Sequence, residues 1–215
     1  MSFAAIPDDP TAVSHAIVLV MHLTGVDASM CDAAQQFARE GFAVVVPDLY
    51  ARLDGPRPSD PNDVAAFMPF AKRLTTESID ADLDEGVSWL RERFPKATLS
   101  IAGFCMGGRI AMHRTAGYAD RFSSAAIWYG FDDTLDPKAV DIPIVASYGL
   151  DDVHIPADKV EAFAQALTVE HDFKFYQNAG HGFFHRESAF APAAAADSFR
   201  RTLDFLRARS ATHPR

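Results

Sequence analysis

The stretch Ser100-Ile-Ala-Gly-Phe-Cys105-Met-Gly-Gly-Arg109 decides how the rest of the chain is interpreted. A short apolar run over residues 97–102 leads into Gly-x-Cys-x-Gly-Gly, and a helical pattern follows at once. This layout is typical of a nucleophile elbow, in which a strand turns sharply into a helix and presents one side chain at the tip. Gly103 and Gly107 leave room beside the strained turn, and the helix N-terminus favours the thiolate form of Cys105. The alternative is that Cys105 is a small buried apolar residue, a common fate of a lone cysteine.

Composition excludes several classes of protein. The 215 residues, of which 48% are hydrophobic and 23% charged, predict a single domain over residues 1–215. The net charge of −9 argues against nucleic acid or an anionic membrane as a partner. No apolar run approaches the roughly 18 residues of a membrane span, and residues 1–10 lack the pattern of a signal peptide. Cys31 and Cys105 are too few for a disulfide framework, so we expect a reducing, cytoplasmic location.

Strand and helix patterns alternate along the chain. Continuous apolar runs predict strands buried on both faces of a parallel sheet, and they cover residues 16–21, 42–46, 97–102, 124–129 and 143–148. Residues 171–177 alternate in polarity and predict a strand nearer the sheet edge. Helical spacing covers residues 30–40, 63–74, 76–94, 109–115, 156–167 and 192–209. Residues 1–14 are interpreted as a loose lead-in and residues 53–61 as a long surface excursion. The expected fold class is therefore α/β, with a mostly parallel central sheet and helices on both faces.

Polar residues follow two later strands in the order that a hydrolytic site requires. In a parallel sheet the ligand site lies at the carboxyl ends of the strands. Asp151 and Asp152 follow the strand over residues 143–148, and His181 stands between two glycines after the strand that ends at residue 177. The chain order Cys, Asp, His is that of the α/β-hydrolases. His181 would hold the proton of Cys105, and an Asp would accept the other imidazole N–H.

Two further assignments complete the predicted site. Asp152 is the preferred acid because it lies four residues before Pro156, as the acid does in this fold, although Asp151 remains an alternative or a helix cap. The oxyanion hole is expected to consist of the backbone N–H groups of Met106 and Leu23.

Four motifs make the chain resemble the dienelactone hydrolase (carboxymethylenebutenolidase) family of the α/β-hydrolase superfamily. They are Pro-Asp-Leu-Tyr at 47–50, Gly-Phe-Cys-Met-Gly-Gly at 103–108, Gly-x-x-Asp before Ile-Pro at 149–156, and Ala-Gly-His-Gly-Phe at 179–183. The resemblance runs over about residues 16–206. It implies hydrolysis of a small-molecule ester or lactone by Cys105, His181 and Asp152, without metal or cofactor. We expect a monomer or a dimer.

Departures from the family pattern concern the sheet and the substrate. Little chain precedes residue 16, so we expect the N-terminal strands to be shortened. His22 stands where the family has a glutamate that holds the resting thiol, and we expect His22 to favour the thiolate. His185 stands where the family has a substrate-gripping arginine, followed by Arg186, and Arg73 is nearest to the second such arginine.

The residues expected to contact substrate suggest a neutral ligand. They are His22, Phe67, Phe70, Phe184 and His185, and the aromatic members, with Met68, suggest an apolar wall. Neutral esters or lactones are therefore expected to be better substrates than an anionic dienelactone.

The sequence leaves other functions open. No metal site is expected, because Gly182 and two phenylalanines separate His181 from His185 and no carboxylate ligand accompanies them. A glutaminase-type cysteine amidotransferase would pair its cysteine with the histidine of a His-x-Glu motif, whereas His181 is followed by Gly182-Phe183. A ligand-binding relic of the hydrolase fold is the non-enzymatic alternative.

Overall fold

Strands and helices alternate through residues 3–60, 63–184 and 189–210, which the computed structural model describes. The strands are β1 (Phe3–Ala5), β2 (His15–Val20), β3 (Ala43–Val46), β4 (Thr98–Phe104), β5 (Ala125–Trp128), β6 (Ile144–Gly149) and β7 (His171–Tyr176). The helices are α1 (Ala28–Arg39), α2 (Val64–Ala71), α3 (Thr76–Arg93), α4 (Met106–His113), α5 (Ala157–Ala166) and α6 (Pro192–Ser210). Among the helices of these ranges, none combines the length and the apolar character that crossing a membrane requires.

The strands form one sheet in the order β1-β3-β2-β4-β5-β6-β7. Every pairing from β3 to β7 is parallel, and only β1 runs antiparallel to its neighbour. The predicted mostly parallel sheet is thus confirmed, as is the position of β7 at an edge. The central strands β2, β5 and β6 are buried along their whole length, which explains their continuous apolar runs.

The N-terminal lead-in is more ordered than predicted. Phe3–Ala5 pairs with β3, with Phe3 opposite Val46, and Pro10–Ala12 forms a single 3₁₀ turn capped by Asp9. The reason is that β3 is wholly buried, and β1 pairs with its outer edge. Three residues are too few to show the alternation from which a strand is predicted.

Helices cover both faces of the sheet. Successive side chains of a strand point to opposite faces. Gly103 faces α4, because a Cβ placed on it would lie 2.2 Å from the carbonyl oxygen of Gly107. The next residue, Phe104, stacks on Trp128, whose indole N–H donates to Ser198 Oγ of α6 over 3.0 Å. Helices α4 and α6 therefore lie on opposite faces.

Candidate active site

The elbow holds Cys105 in a strained conformation at the carboxyl end of β4. Its φ of 55° and ψ of −118° place a non-glycine residue at positive φ, which costs about 1–3 kcal/mol. The backbone N–H of Cys105 donates to the carbonyl of Trp128, and its own carbonyl accepts from the N–H of Arg109, both over 3.0 Å. The turn is thus held by β5 on one side and by α4 on the other.

Two glycines make this turn possible. A Cβ on Gly103 would lie 2.2 Å from the carbonyl oxygen of Gly107, and one on Gly107 would lie 2.2 Å from that of Val20. Real Cβ atoms do not approach backbone oxygens so closely, so only glycine allows α4 to pack this tightly against β2 and β4. The packing brings the N-terminus of α4 to the carboxyl ends of the strands, where Cys105 stands.

Cys105, His181 and Asp152 lie within hydrogen-bond distance of one another in series. His181 Nε2 is 3.0 Å from Cys105 Sγ, and His181 Nδ1 is 2.8 Å from Asp152 Oδ2. The second oxygen of Asp152 accepts the backbone N–H groups of His154 over 2.8 Å and Ile155 over 3.2 Å. Asp151 is instead exposed. The geometry therefore places Asp152, of the two acids considered, against the imidazole.

Asp152 and His181 each stabilise the charged form of the other. Burial raises the pKa of Asp152, but its hydrogen bonds and the charge of His181 outweigh burial and lower it. Burial lowers the pKa of His181, but the hydrogen bonds to Asp152 and Cys105 outweigh it and raise that pKa to about 9. An ionised carboxylate only accepts hydrogen bonds, so Nδ1 of His181 carries a proton. Nε2 then faces the sulfur and can take the thiol proton.

Two aromatic side chains that sequence reasoning did not single out border His181. The ring of Tyr129 lies edge-on to the imidazole at 5.2 Å between centroids, and that of His154 lies at 5.3 Å, nearly perpendicular. Tyr129 also has a positive φ of 36°, directly after β5. Its position after a buried strand was the signal that could have identified it, since the other site residues occupy such positions.

The residues expected to form the oxyanion hole meet at one tyrosine. The hydroxyl of Tyr50 donates to the carbonyl of Leu23 over 2.8 Å and lies 3.9 Å from Sδ of Met106. Met106 opens α4, and the first N–H groups of a helix have no carbonyl partner within it. Tyr50 belongs to the Pro-Asp-Leu-Tyr motif but received no role from the sequence.

His22 has a carboxylate partner inside its own loop. Its Nε2 lies 2.8 Å from Asp27 Oδ2 and 3.0 Å from Thr24 Oγ1. The other oxygen of Asp27 caps α1 by accepting the N–H groups of Ser29 and Met30. Burial raises the pKa of Asp27, but the hydrogen bond and charge of His22, together with the hydrogen bonds from Ser29 and Met30, outweigh burial and lower it. This pairing connects His22 to the start of α1, and its expected effect on the thiolate stays a prediction.

The residues predicted to line the substrate wall fall into different places. Phe67 and Phe70 are buried on α2, and the ring of Phe70 lies 5.6 Å from that of Tyr50, whereas Met68 is exposed. Phe184 lies 5.0 Å from Phe104 and 5.5 Å from Trp128, on the α6 side of the sheet.

These ring contacts place Phe184 against the aromatic core, and its expected role in the substrate wall stays a prediction. Arg73 donates to the carbonyl of Asp54 over 2.7 Å and lies over the ring of Phe70. His185 and Arg186 lie outside the described residues.

No group of three His, Cys, Asp or Glu side chains in the described ranges is arranged to hold a metal ion. Cys105, His181 and Asp152 place a thiol, an imidazole and a carboxylate in series. This arrangement suits nucleophilic attack on a carbonyl carbon, with proton transfer by the imidazole.

Comparison with known proteins identifies the family. A model of the dienelactone hydrolase family matches residues 2–210. A protein of Escherichia coli K12 named "Putative carboxymethylenebutenolidase" is 34% identical over 89% of this chain and 76% of its own length. A carboxymethylenebutenolidase of Pseudomonas putida is 28% identical over 95% of this chain and 91% of its own.

Solved structures agree with this assignment. A structure titled as a "Putative Dienelactone Hydrolase" from Klebsiella pneumoniae superposes with a TM-score of 0.82 and 26% identity, covering 99% of this chain and 92% of that one. The family expected from the four sequence motifs is thus confirmed: the chain belongs to the dienelactone hydrolase family of carboxylic ester hydrolases, with the α/β-hydrolase fold.

Proposed function

We propose that this chain hydrolyses carboxylic ester or lactone bonds through an acyl-thioester on Cys105, with His181 as its base and Asp152 orienting the imidazole. The observation that carries the proposal is the pair of contacts made by His181, 3.0 Å from the sulfur and 2.8 Å from the carboxylate. Family membership supports the same reaction class.

Acylation begins with attack of the Cys105 sulfur on the carbonyl carbon of the substrate. The thiol proton passes to Nε2 of His181, and the carboxylate of Asp152 stabilises the imidazolium. The carbonyl oxygen becomes an oxyanion, which the N–H groups of Met106 and Leu23 are proposed to bind. As the tetrahedral intermediate collapses, the carbon–oxygen bond breaks and His181 returns the proton to the leaving alkoxide. For a lactone, that alcohol remains part of the acyl group.

Deacylation follows the same path with water as the nucleophile. His181 takes a proton from water as the hydroxide adds to the thioester carbon, and the oxyanion hole binds the second oxyanion. The carbon–sulfur bond then breaks and releases the carboxylic acid. The thiolate of Cys105 and the imidazolium of His181 remain, ready for another substrate.

The two cysteines provide a matched test. Cys105→Ala should lower hydrolysis of a p-nitrophenyl ester by about 10⁴-fold or more. In the wild-type enzyme, mass spectrometry should find the trapped acyl group on Cys105. Cys31→Ala is the control, because Cys31 lies on α1, where burial and the charge of Asp27 raise the pKa of its thiol. Persistent turnover in Cys105→Ala would reject the proposal, and absence of any acyl-enzyme turnover in the wild type would favour a ligand-binding relic. We further infer a reducing, cytoplasmic setting, since a nucleophilic thiol must stay reduced to act.

A further inference from the structure

We propose that Tyr50 is a positioning residue for the oxyanion hole, acting through the backbone of Leu23. This inference rests on the proposed function, because it assigns a role in binding the oxyanion formed during attack by Cys105. The role assigned to Tyr50 involves no contact with the reacting atoms. Its hydroxyl fixes the loop that supplies one of the two N–H donors.

The hydroxyl of Tyr50 contacts both residues whose N–H groups are the expected donors. It donates to the carbonyl of Leu23 over 2.8 Å and lies 3.9 Å from Sδ of Met106. Tyr50 is fully buried, and burial, together with the negative charges of Asp48 and Cys105, raises the pKa of its hydroxyl. The hydroxyl therefore keeps its proton across the working pH range and remains a donor to Leu23.

Two hydrogen bonds anchor the loop after β2 on either side of Leu23. The carbonyl of His22 accepts the N–H of Gly25 over 3.1 Å. The His22 carbonyl and the Leu23 N–H belong to the same trans peptide and point in opposite directions. The hydrogen bond to Gly25 therefore fixes the orientation of the peptide before Leu23. The Tyr50 hydroxyl holds the carbonyl of Leu23, which belongs to the peptide after it. With both peptides fixed, the direction of the Leu23 N–H is fixed as well.

Tyr50 is itself held from three directions. Its backbone N–H donates to Asp48 Oδ1 over 3.1 Å, and the other oxygen of Asp48 pairs with Arg57 over 2.6 Å. Its ring packs against Phe70 of α2 and lies within van der Waals reach of a Cβ placed on Gly25. The Pro-Asp-Leu-Tyr motif and Arg57 thus support the loop that carries Leu23.

Tyr50→Phe tests the role because it keeps the ring and removes only the hydroxyl. Removing an oxyanion donor outright costs about 10²–10³-fold in kcat. Loosening one donor should therefore lower kcat for a p-nitrophenyl ester about 10- to 100-fold, with KM changed less than about threefold. Alkylation of Cys105 by iodoacetamide should keep its wild-type rate and pH profile, because displacement of iodide develops no oxyanion. That rate also reports that the folded site survives.

Tyr148→Phe is the matched control. Tyr148 is also buried, and its hydroxyl donates to the backbone carbonyl of Gly130 over the same 2.8 Å. It should retain kcat within about threefold.

The inference would be overturned if Tyr50→Phe kept the wild-type kcat, or if Tyr148→Phe lost as much kcat as Tyr50→Phe. It would also be overturned if Tyr50→Phe slowed the alkylation of Cys105 as much as it lowered kcat. Failure of the proposed function is distinguishable, because it appears as ester turnover by Cys105→Ala. If Tyr50→Phe does not fold, aldehyde inhibition of Phe70→Leu replaces the test. Looser packing on Tyr50 should then weaken this oxyanion-forming inhibitor more than it slows alkylation, and equal effects would overturn the inference.

Discussion

Replacing Asp152 by asparagine should disable the site by reversing the hydrogen bond to His181. Asp152 uses one oxygen to accept the backbone N–H groups of His154 and Ile155 and the other to face Nδ1 of His181. In Asp152→Asn the two backbone donors hold the amide oxygen on their side. The amide NH₂ then faces Nδ1, which must become an acceptor. The imidazole proton moves to Nε2, which can no longer take the proton of Cys105.

The structure sets the size of this effect. To restore the productive tautomer, the new amide must rotate and turn its NH₂ toward two backbone N–H groups, which leaves two partly buried donors without acceptors. Each buried unsatisfied group costs about 1–3 kcal/mol. The rotation therefore costs about 2–6 kcal/mol, which corresponds to a loss in kcat of about 30-fold to about 10⁴-fold. The loss of the carboxylate charge also lowers the pKa of His181 from about 9.

Steady-state hydrolysis of a p-nitrophenyl ester measures the loss. We expect kcat to fall with KM little changed, because Asp152 acts on the imidazole during proton transfer and not on the bound substrate. Asp151→Asn is the matched control, since Asp151 is the adjacent acid and is exposed; it should retain wild-type kcat. A kcat within about threefold of wild type in Asp152→Asn, or a larger loss in Asp151→Asn, would refute the reasoning.

Three further predictions concern substrate, packing and pH. Neutral esters or lactones should have a higher kcat/KM than an anionic dienelactone on one enzyme preparation, and a clear preference for the anion would contradict this. Gly103→Ala should abolish folding or lower Tm sharply in thermal unfolding, because its Cβ would lie 2.2 Å from the carbonyl oxygen of Gly107. Gly180→Ala is the control and should keep the wild-type Tm, because its Cβ would lie 3.7 Å from its nearest neighbour. Burial and the charge of Arg209 lower the pKa of His15 to about 4, whereas its pKa in the unfolded chain is roughly 6.5. Between these pH values the unfolded chain binds a proton at His15 and the folded chain does not. The free energy of unfolding in urea should therefore fall by up to about 3 kcal/mol as pH falls from about 6.5 to 4. The fall should be smaller in His15→Gln. The same pH dependence in both proteins would exclude His15 as its cause.

The elbow and the order of the site residues could be predicted because their signals are local. Buried parallel strands appear as continuous apolar runs, and the elbow appears as glycines at fixed spacing around Cys105. His181 and Asp152 follow strand ends, and parallel topology brings such ends to one edge. Family, fold class and the residues of the candidate series therefore followed from sequence. Strand β1 did not, because three residues carry no periodicity.

Contacts between distant segments were decided only by the tertiary structure. Tyr50 meets Leu23 across 27 residues of sequence, and no local pattern indicates that a hydroxyl on one loop will hold a carbonyl on another. His154 borders His181 only because β6 and β7 are neighbours in the sheet. The sequence also does not decide whether an aromatic residue near the histidine, such as Phe184, packs on the core or faces substrate. Its face is set by packing against Phe104, which is a property of the assembled sheet and not of the adjacent sequence.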